Sequence, residues 1–300
     1  MAIFSGDIFA ENYTVSSSVT NVQISSVSGS TKSGDSADDT HQFTGSLHIS
    51  GSSIELGDGN NNVVLGNNTN FNVTSQYSTF IGYNAAGGTE STGLGGQSIT
   101  VVGWGAGQDM QQNPHRTTLI GALAGANLNV GLDNTFVGAD AGFTLTGADR
   151  NVFIGSSAGY QTVDVDNAVI IGYQAGYANM TSAADGTIAI GYQAGKALTS
   201  GTNVAIGYQT MENLTTGTAN TAVGRKALNS ADGAESNNVA IGSSAMQNVN
   251  NDSSEKNVAI GADAMSSITT GEVDRCIAIG FGAMDGTGTI AGQQNIFIGD

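Results

Sequence analysis

The chain has 300 residues, of which 44 are glycine, one is proline and 11% are charged, and its formal net charge is −17 at pH 7. Such an acidic surface repels phosphate backbones and anionic lipids, so neither nucleic acid nor a membrane is an expected partner. No window approaches the run of about 18 apolar residues that a membrane-spanning helix needs. A hydrophobic content of 39% is enough for a core, and the frequent glycine predicts an ordered chain with many tight corners.

Residues 1–57 form the first predicted domain, because they lack the pattern of the rest of the chain. Val22 and Ile24 alternate with polar residues, and a second alternating segment ends at Ile49, so short strands are expected on both sides of a polar linker at 29–40. The start, MAIFSGDIFAENY, lacks the basic residues and apolar stretch of a signal peptide, which predicts a cytoplasmically made protein without its own export signal. A module with so small a core is expected to be stabilised by association.

Residues 58–300 form the second predicted domain, a series of repeats. A short apolar strand ending in glycine, such as NVAIG at 257–261, recurs fourteen times at spacings of 16 to 21 residues. A small residue follows three places after nearly every such glycine, so each unit is predicted to contain a strand, a glycine corner, a second short strand and a polar loop. A unit this small cannot bury its own apolar face, and neighbouring units must therefore stack.

This stacking predicts an all-β fold, a parallel β-solenoid or β-roll of about 14 coils. At about 4.8 Å per strand its length is on the order of 65 Å. The last repeat ends one residue before the end of the sequence, so we expect that the natural polypeptide continues or that another protein covers this end. Glycine is expected at each corner because a Cβ would obstruct a tight turn there. The predicted structural corners are Gly138, Gly155, Gly172, Gly191, Gly207, Gly224, Gly242, Gly261 and Gly280.

Two positions of the unit exchange volume along the chain. The middle residue of the strand is large in the central repeats and alanine in the later ones, whereas the fourth residue after the corner changes from glycine to methionine or leucine. Only the unit of Ala189 and Gly195 departs from this rule. Constant packing density in one shared space requires such an exchange.

We interpret these two positions as an apolar seam between chains around a three-fold axis, with the first and last strand residues filling the coil. The alternative is a wider coil that contains both sets of side chains. The three-fold interpretation predicts a homotrimer, because such apolar rows would form too large an exposed patch on a monomer. The predicted seam residues are Phe136, Phe153, Ile170, Met211, Met246, Met265 and Met284.

Residues that could carry chemistry are few. The only histidines are His41, His48 and His115, and no hydrolase, metalloprotease or phosphate-loop motif accompanies them. Asp164 and Asp166 could offer oxygens to Ca²⁺, but they lack further ligands at a known spacing, so a solvated loop is expected. The sequence predicts no catalytic residue, no metal site and no cofactor, and the protein is not expected to be an enzyme.

The lone cysteine, Cys276, excludes an intramolecular disulfide and is expected to pack as a small hydrophobe. Several tyrosines lie near the corners, where they could stack on sugars, although packing within the seam is the favoured interpretation. These tyrosines are Tyr160, Tyr173, Tyr177, Tyr192 and Tyr208.

The repeats NVAIG, NTFVGADAG and NVFIGSSAGY resemble those of phage tail-fibre proteins and of the heads of trimeric autotransporter adhesins. The segments IFSGDIFAENYTVSSSVT and DDTHQFTGSLHISGS are similar to the leader of fibre-like structural proteins of marine tailed phages. The first resemblance covers roughly residues 60–300 and implies a trimeric β-roll. The second covers the opening of the chain and implies a virion protein.

The resemblance favours a structural phage fibre, most simply a tail fibre, because an adhesin needs export and anchoring that this sequence does not show. It implies a homotrimer assembled in the host cytoplasm and located in the virion. Its expected partners are other tail or head proteins, contacted through residues 1–57, and a host surface receptor. A bacterial cell-surface adhesin and a glycan-degrading tailspike are the alternatives.

Overall fold

The computed structural model describes residues 62–66, 69, 75–87, 96–110, 114–251, 253–268, 273–286 and 292–299. The predicted module at 1–57 lies outside these residues. Within them, a 3₁₀ turn at Ser182–Ala184 is the only helical element, and the other elements are strands. The predicted parallel β-solenoid is confirmed, since its strands stack in chain order to form one continuous parallel sheet.

The main sheet has 14 strands and a two-stranded sheet accompanies it. Strands β13 (Val273–Asp274) and β15 (Gly292–Gln293) form the small sheet. The main sheet contains β1 (Val63–Leu65), β2 (Thr79–Ile81), β3 (Thr100–Val102), β4 (Thr118–Ile120), β5 (Thr135–Val137), β6 (Val152–Ile154), β7 (Val169–Ile171), β8 (Ile188–Ile190), β9 (Val204–Ile206), β10 (Thr221–Val223), β11 (Val239–Ile241), β12 (Val258–Ile260), β14 (Ile277–Ile279) and β16 (Ile296–Ile298).

Neighbouring strands pair residue for residue, so equivalent side chains form columns along the rod. The ladder continues beyond the strand: the amide of Gly138 donates to the carbonyl of Ile120 at 2.8 Å, and that of Gly142 donates to the carbonyl of Ala158 at 2.9 Å. The predicted second short strand is wrong. The chain instead turns, with positive φ at the second and fourth residues after the corner, as in Asp140 (57°) and Gly142 (61°). These left-handed residues aim backbone groups at the coils on both sides, which satisfies them without a second strand.

The side chains of the strand face opposite directions from those expected. Phe153, the middle residue of β6, is fully buried, whereas Val152 is half-buried and Ile154 is 37% exposed. The same pattern holds along the main sheet from β2 to β14. The middle residue therefore fills the coil, and the first and last residues face outward.

The interpretation of the volume exchange as an inter-chain seam is wrong, because both positions lie in the core of one coil. A Cβ at Gly159 would lie 2.5 Å from Cε2 of Phe153, so the ring already occupies that space. Where the middle residue is alanine, a methionine or, in the coil of Ala222, Leu228 lies four places after the corner and fills the same space. The residues assigned to the seam, all buried within the single chain, are Phe136, Phe153, Ile170, Met211, Met246, Met265 and Met284.

The exceptional unit of Ala189 and Gly195 follows the same logic with a third side chain. A Cβ at Gly195 would lie 2.6 Å from Cδ1 of Leu198, which is fully buried. Leu198 thus takes the volume that neither of the other two positions supplies. Side chains from three positions of the unit therefore fill the core: the middle of the strand, the fourth residue after the corner, and the position of Leu198. The sequence pattern revealed the first two.

The corner glycines allow the coils to approach each other closely. At Gly242, φ is +136°, and a Cβ would lie 2.3 Å from the carbonyl oxygen of Gly261 in the next coil. No side chain fits at that distance, so stacking at this spacing requires glycine. The same geometry, with φ between +131° and +138°, occurs at Gly138, Gly155, Gly172, Gly191, Gly207, Gly224, Gly242, Gly261 and Gly280.

Candidate interaction surface

The outward side of the main sheet carries one aliphatic column and one column of aliphatic residues and threonine, which together we call the aliphatic face. It consists of the first and last residues of β1–β12, β14 and β16. The last residue is Leu, Ile or Val in every strand, and the first is Val, Ile or Thr. Ile120 and Ile241 are 39% exposed and Ile260 is 37% exposed, although the equivalent residues of the preceding and following strands flank each of them.

This surface is large for an apolar patch on one chain. Fourteen strands at about 4.8 Å span about 65 Å, and a three-residue strand adds a width of about 10 Å. The resulting area of about 650 Å² lies at or above the upper end of what monomers expose in one patch. Neither column contains a charged residue. Burial against another apolar surface is the chemistry that this face offers.

Two rows of exposed or half-buried residues border the aliphatic face. The leading edge is the second residue before each strand, and the trailing edge is the residue directly after each corner glycine. Arg150 on the leading edge pairs with Asp149 at 3.4 Å and with Asp166 of the next coil at 3.3 Å. Trp104 on the trailing edge is 56% exposed.

All five predicted corner tyrosines form ladders of stacked rings outside the buried core. On the trailing edge Tyr173, Tyr192 and Tyr208 stack in sequence, with ring centroids 5.4 and 5.1 Å apart. Tyr160 and Tyr177 continue a second ladder from Phe143, with both separations 5.2 Å. The faces of these rings stack on each other along the rod, so the inner rings have no free face on which a sugar could lie.

A buried asparagine ladder, which the sequence reasoning missed, runs just before the strands. In Asn238 the side-chain oxygen accepts from the amide of Asn257 at 3.0 Å and from its Nδ2 at 3.1 Å, while Nδ2 of Asn238 donates to the carbonyl of Ser254. Asn203 and Asn220 repeat these contacts. The recurring N of NVAIG was the available signal, but the pattern alone did not separate it from the strand.

Cys276 takes the place of asparagine in the next coil of this ladder. It is fully buried, as expected, and its amide donates to the side-chain oxygen of Asn257 at 2.9 Å. The sulfur lies 3.9 Å from Nδ2 of Asn295, which occupies the following coil. The thiol therefore continues the column as well as packing in it.

Several ionisable residues join neighbouring coils. Nδ1 of His115 accepts from the amide of Gln97 at 3.1 Å, and the carboxylate of Asp166 accepts from the amide of Asp149 at 2.7 Å. Arg116 donates through Nη2 to Asp133 at 2.9 Å, which lowers the pKa of Asp133 and raises that of Arg116. No group of three or more histidine, cysteine or acidic side chains is placed to hold a metal ion in the described parts of the chain.

Comparisons with protein-family models, with curated proteins and with solved structures found no match to this chain. Among the described residues, no helix has the length and apolar character needed to cross a membrane.

Proposed function

We propose that this protein is a structural fibre subunit whose repeats form the shaft of a homotrimer, with the three aliphatic faces packed around a common axis. The carrying observation is the outward column of aliphatic side chains at the last residue of all 14 parallel strands, beside a first-residue column of valine, isoleucine and threonine. A patch of this size on a chain otherwise rich in polar loops needs an apolar partner. A second copy of the same chain provides one of matching length.

The width of the face favours three copies. Packed sheets lie about 10 Å apart, so each contributes about 5 Å of side chains to the space between them. A triangle whose sides lie about 5 Å from its centre has sides of about 17 Å, which is about the length of five extended residues at 3.3 Å each. The strand with its flanking residue on each side has that length. Three faces thus close around an apolar interior without a cavity.

The test is the oligomeric state of the purified chain, measured by light scattering. The expected mass is about three times 30.2 kDa. Ile241→Asp and Ile260→Asp, which put charge on the aliphatic face, should shift the mass toward that of one chain. Asn250→Asp adds the same charge to an exposed loop and should leave the oligomer intact. A monomeric wild-type chain at micromolar concentration would contradict the proposal.

The second part of the proposal assigns this shaft to a bacteriophage, most simply to its tail fibre. It is supported by the resemblance of the repeats and of the opening segments to fibre proteins of tailed phages. A solenoid of repeating coils suits reach and display, since it offers a similar surface at each level. The expected surroundings are the virion, with other tail or head proteins at one end and a host surface receptor as the target.

Antibodies raised against the repeats test this assignment by immunogold electron microscopy of particles from the source culture. Label along fibres of virions is expected. Label on the envelope of uninfected bacteria would show an adhesin instead, and release of oligosaccharides from host glycans by the pure protein would show a tailspike. Deletion of residues 1–57, the proposed attachment module, should leave the trimer assembled and abolish its incorporation into particles.

A further inference from the structure

The two rows that border the aliphatic face have reciprocal sizes, coil by coil. From β3 to β12, no coil carries a large side chain, meaning arginine, lysine or an aromatic residue, at both edges. In seven of these coils one edge residue is large and the other is small. Each pair, with the leading-edge residue first, is Ser98 and Trp104, Arg116 and Ala122, Arg150 and Ser156, Gly186 and Tyr192, Thr202 and Tyr208, Ala219 and Arg225, and Lys256 and Ala262.

The remaining coils define the limits of this rule. Where the leading-edge residue is of medium size, the trailing-edge residue of the same coil is either large or small, as in Asn167 with Tyr173 and Asn237 with Ser243. Two large residues occur together in the coils of β2 (Tyr77 with Tyr83) and β14 (Arg275 with Phe281). Each of those coils is the second from an end of the sheet. In addition, arginine and phenylalanine attract each other if they are brought into contact.

Contacts within one chain do not explain the reciprocity. The paired positions are six residues apart, as in Lys256 and Ala262, so the strand with its outward aliphatic side chains lies between them. At about 3.3 Å per residue they are separated by about 15 to 20 Å, beyond the reach of either side chain. The contacts that each edge does make run along the rod, as in the stacking of Tyr192 on Tyr208.

We infer that neighbouring copies of this chain lie parallel and level, so that the leading edge of each coil abuts the trailing edge of the same coil in the next copy. A rotation axis along the rod produces this arrangement. An antiparallel pair would bring different coils together and would create no correlation within a coil. The inference rests on the proposed self-association and specifies its register.

Charge is compatible with this contact, because the leading-edge cations are already paired within their own chain. Arg116 pairs with Asp133, Lys256 with Glu255 at 2.6 Å, and Arg275 with Asp274 at 2.8 Å. Bringing the edges together therefore buries no unpaired cation from this row. Because the strands of all coils pair in the same register, the aliphatic faces alone permit many offsets between copies, and the reciprocal edges select the level one.

Disulfide trapping in the full-length chain tests the register. The pair Lys256→Cys and Ala262→Cys lies in one coil and should form inter-chain disulfides on oxidation, because a disulfide needs Cα atoms within about 7 Å. The pair Thr202→Cys and Ala262→Cys is offset by three coils, about 14 Å along the rod, and should not. The wild type, whose Cys276 is buried, is the background control.

The expected result on a non-reducing gel is a covalent oligomer, for the level pair alone, whose size equals that found by light scattering. An oligomer by light scattering without level cross-links, or with equal cross-links from the offset pair, overturns the register and leaves the proposed trimer standing. A monomer by light scattering overturns both.

A size substitution provides a second measurement that does not depend on cysteine chemistry. Ala219→Arg places two large side chains of like charge at one level, opposite Arg225, at an exposed position that already has a positive φ of 57°. It should raise the concentration at which the oligomer dissociates about tenfold or more, which for a trimer is about 2.8 kcal/mol because its dissociation constant varies as the square of the concentration. Arg225→Ala in the same chain should restore the wild-type value. If the double variant dissociates as readily as the single one, the edges do not meet and the inference is wrong.

Discussion

The coils of β6 and β12 fill the same cross-section from opposite walls. In β6 the ring of Phe153 comes from the strand and Gly159 leaves room for it, whereas in β12 the strand supplies Ala259 and the space is filled by Met265. Both coils stack on neighbours of their own kind with the same register. The comparison teaches that this solenoid conserves volume inside the coil, not residue type at any one position.

The two solutions differ in backbone conformation. The fourth residue after the corner has a positive φ in both regions, 61° at Gly159 and 53° at Met265. Glycine adopts this region without penalty, whereas a residue with a Cβ pays about 1–2 kcal/mol. The methionine coils offset that cost by burying a long side chain. The phenylalanine coils instead place the volume on the strand, where an aromatic residue is favoured.

The largest expected effect comes from breaking the volume rule in one coil. Phe153→Ala should lower the free energy of unfolding by about 3–5 kcal/mol, because it leaves a cavity in a fully buried site. Gly159→Met in the same chain converts the coil to the β12 type and should recover at least about 2 kcal/mol of that loss. Urea unfolding of the full chain measures both.

The control for this pair is Gly159→Met alone, which should destabilise the chain because its side chain meets the Phe153 ring. The comparison between the two regions fails if the double variant is as unstable as the sum of its single changes.

The next effect concerns the corner, which is common to both regions. Gly261→Val should destabilise the chain by at least about 2 kcal/mol, because a side chain there combines backbone strain with a clash. Its Cβ would lie 2.2 Å from the carbonyl oxygen of Gly280, and φ is +137°. Gly282→Asn is the matched control, since no atom lies within 4 Å of a Cβ there and asparagine tolerates its φ of +61°. Equal melting temperatures for the two variants would contradict this account of the corner.

The asparagine ladder extends the comparison, since its longest run, Asn203 to Asn257, belongs to the alanine and methionine coils. Asn238→Ala should cost about 1–3 kcal/mol, because it leaves the buried amide of Asn257 without an acceptor. Asn250→Ala, in an exposed loop, should change stability by less than about 0.5 kcal/mol. Protection of the Asn257 amide from hydrogen exchange gives a local readout, and unchanged protection in Asn238→Ala would count against the ladder.

The repeat, the parallel stacking and the corners could be predicted from the sequence because each follows from local chemistry. Alternating apolar residues next to glycine specify a strand and a corner, and a unit too small to bury itself must stack. The exchange between the strand and the fourth residue after the corner was also visible, and it was correctly taken as a sign of shared space.

The direction in which the strand faces could not be obtained in the same way. Val258, Ala259 and Ile260 are all apolar, so periodicity leaves both faces eligible for the core. The left-handed turn after the corner decides the matter, because it carries Met265 back over Ala259. Nothing in the residue types between Gly261 and Met265 distinguishes that turn from a strand. The predicted seam was therefore assigned to residues that lie inside the coil.

The smallest expected effect on stability comes from the ion pairs, which differ between the two kinds of coil. Arg116 and Asp133 join the coils of β4 and β5, which like β6 have a large residue in the middle of the strand. Lys256 pairs with Glu255 inside the coil of β12. The pair lowers the pKa of Asp133 because Arg116 stabilises its charged form. Its contribution is therefore present above about pH 4, the value of an unfolded aspartate, and is lost as the pH falls through the lowered pKa. Because both side chains are exposed, the contribution is screened and should be small.

Asp133→Asn should consequently lower the melting temperature slightly at neutral pH and low salt. The difference from wild type should shrink as the solution is acidified below the lowered pKa, since the wild-type carboxyl is then neutral as well. It should also shrink in about 1 M salt, where the screening length is about 3 Å.

Glu255→Gln, which removes the acid of the pair within the coil of β12, is the matched variant. It should have the smaller effect, because only the Asp133 pair joins two coils and opposes their separation. If the two variants respond equally to pH, the ion pairs do not contribute to stacking and the two regions differ only in their cores.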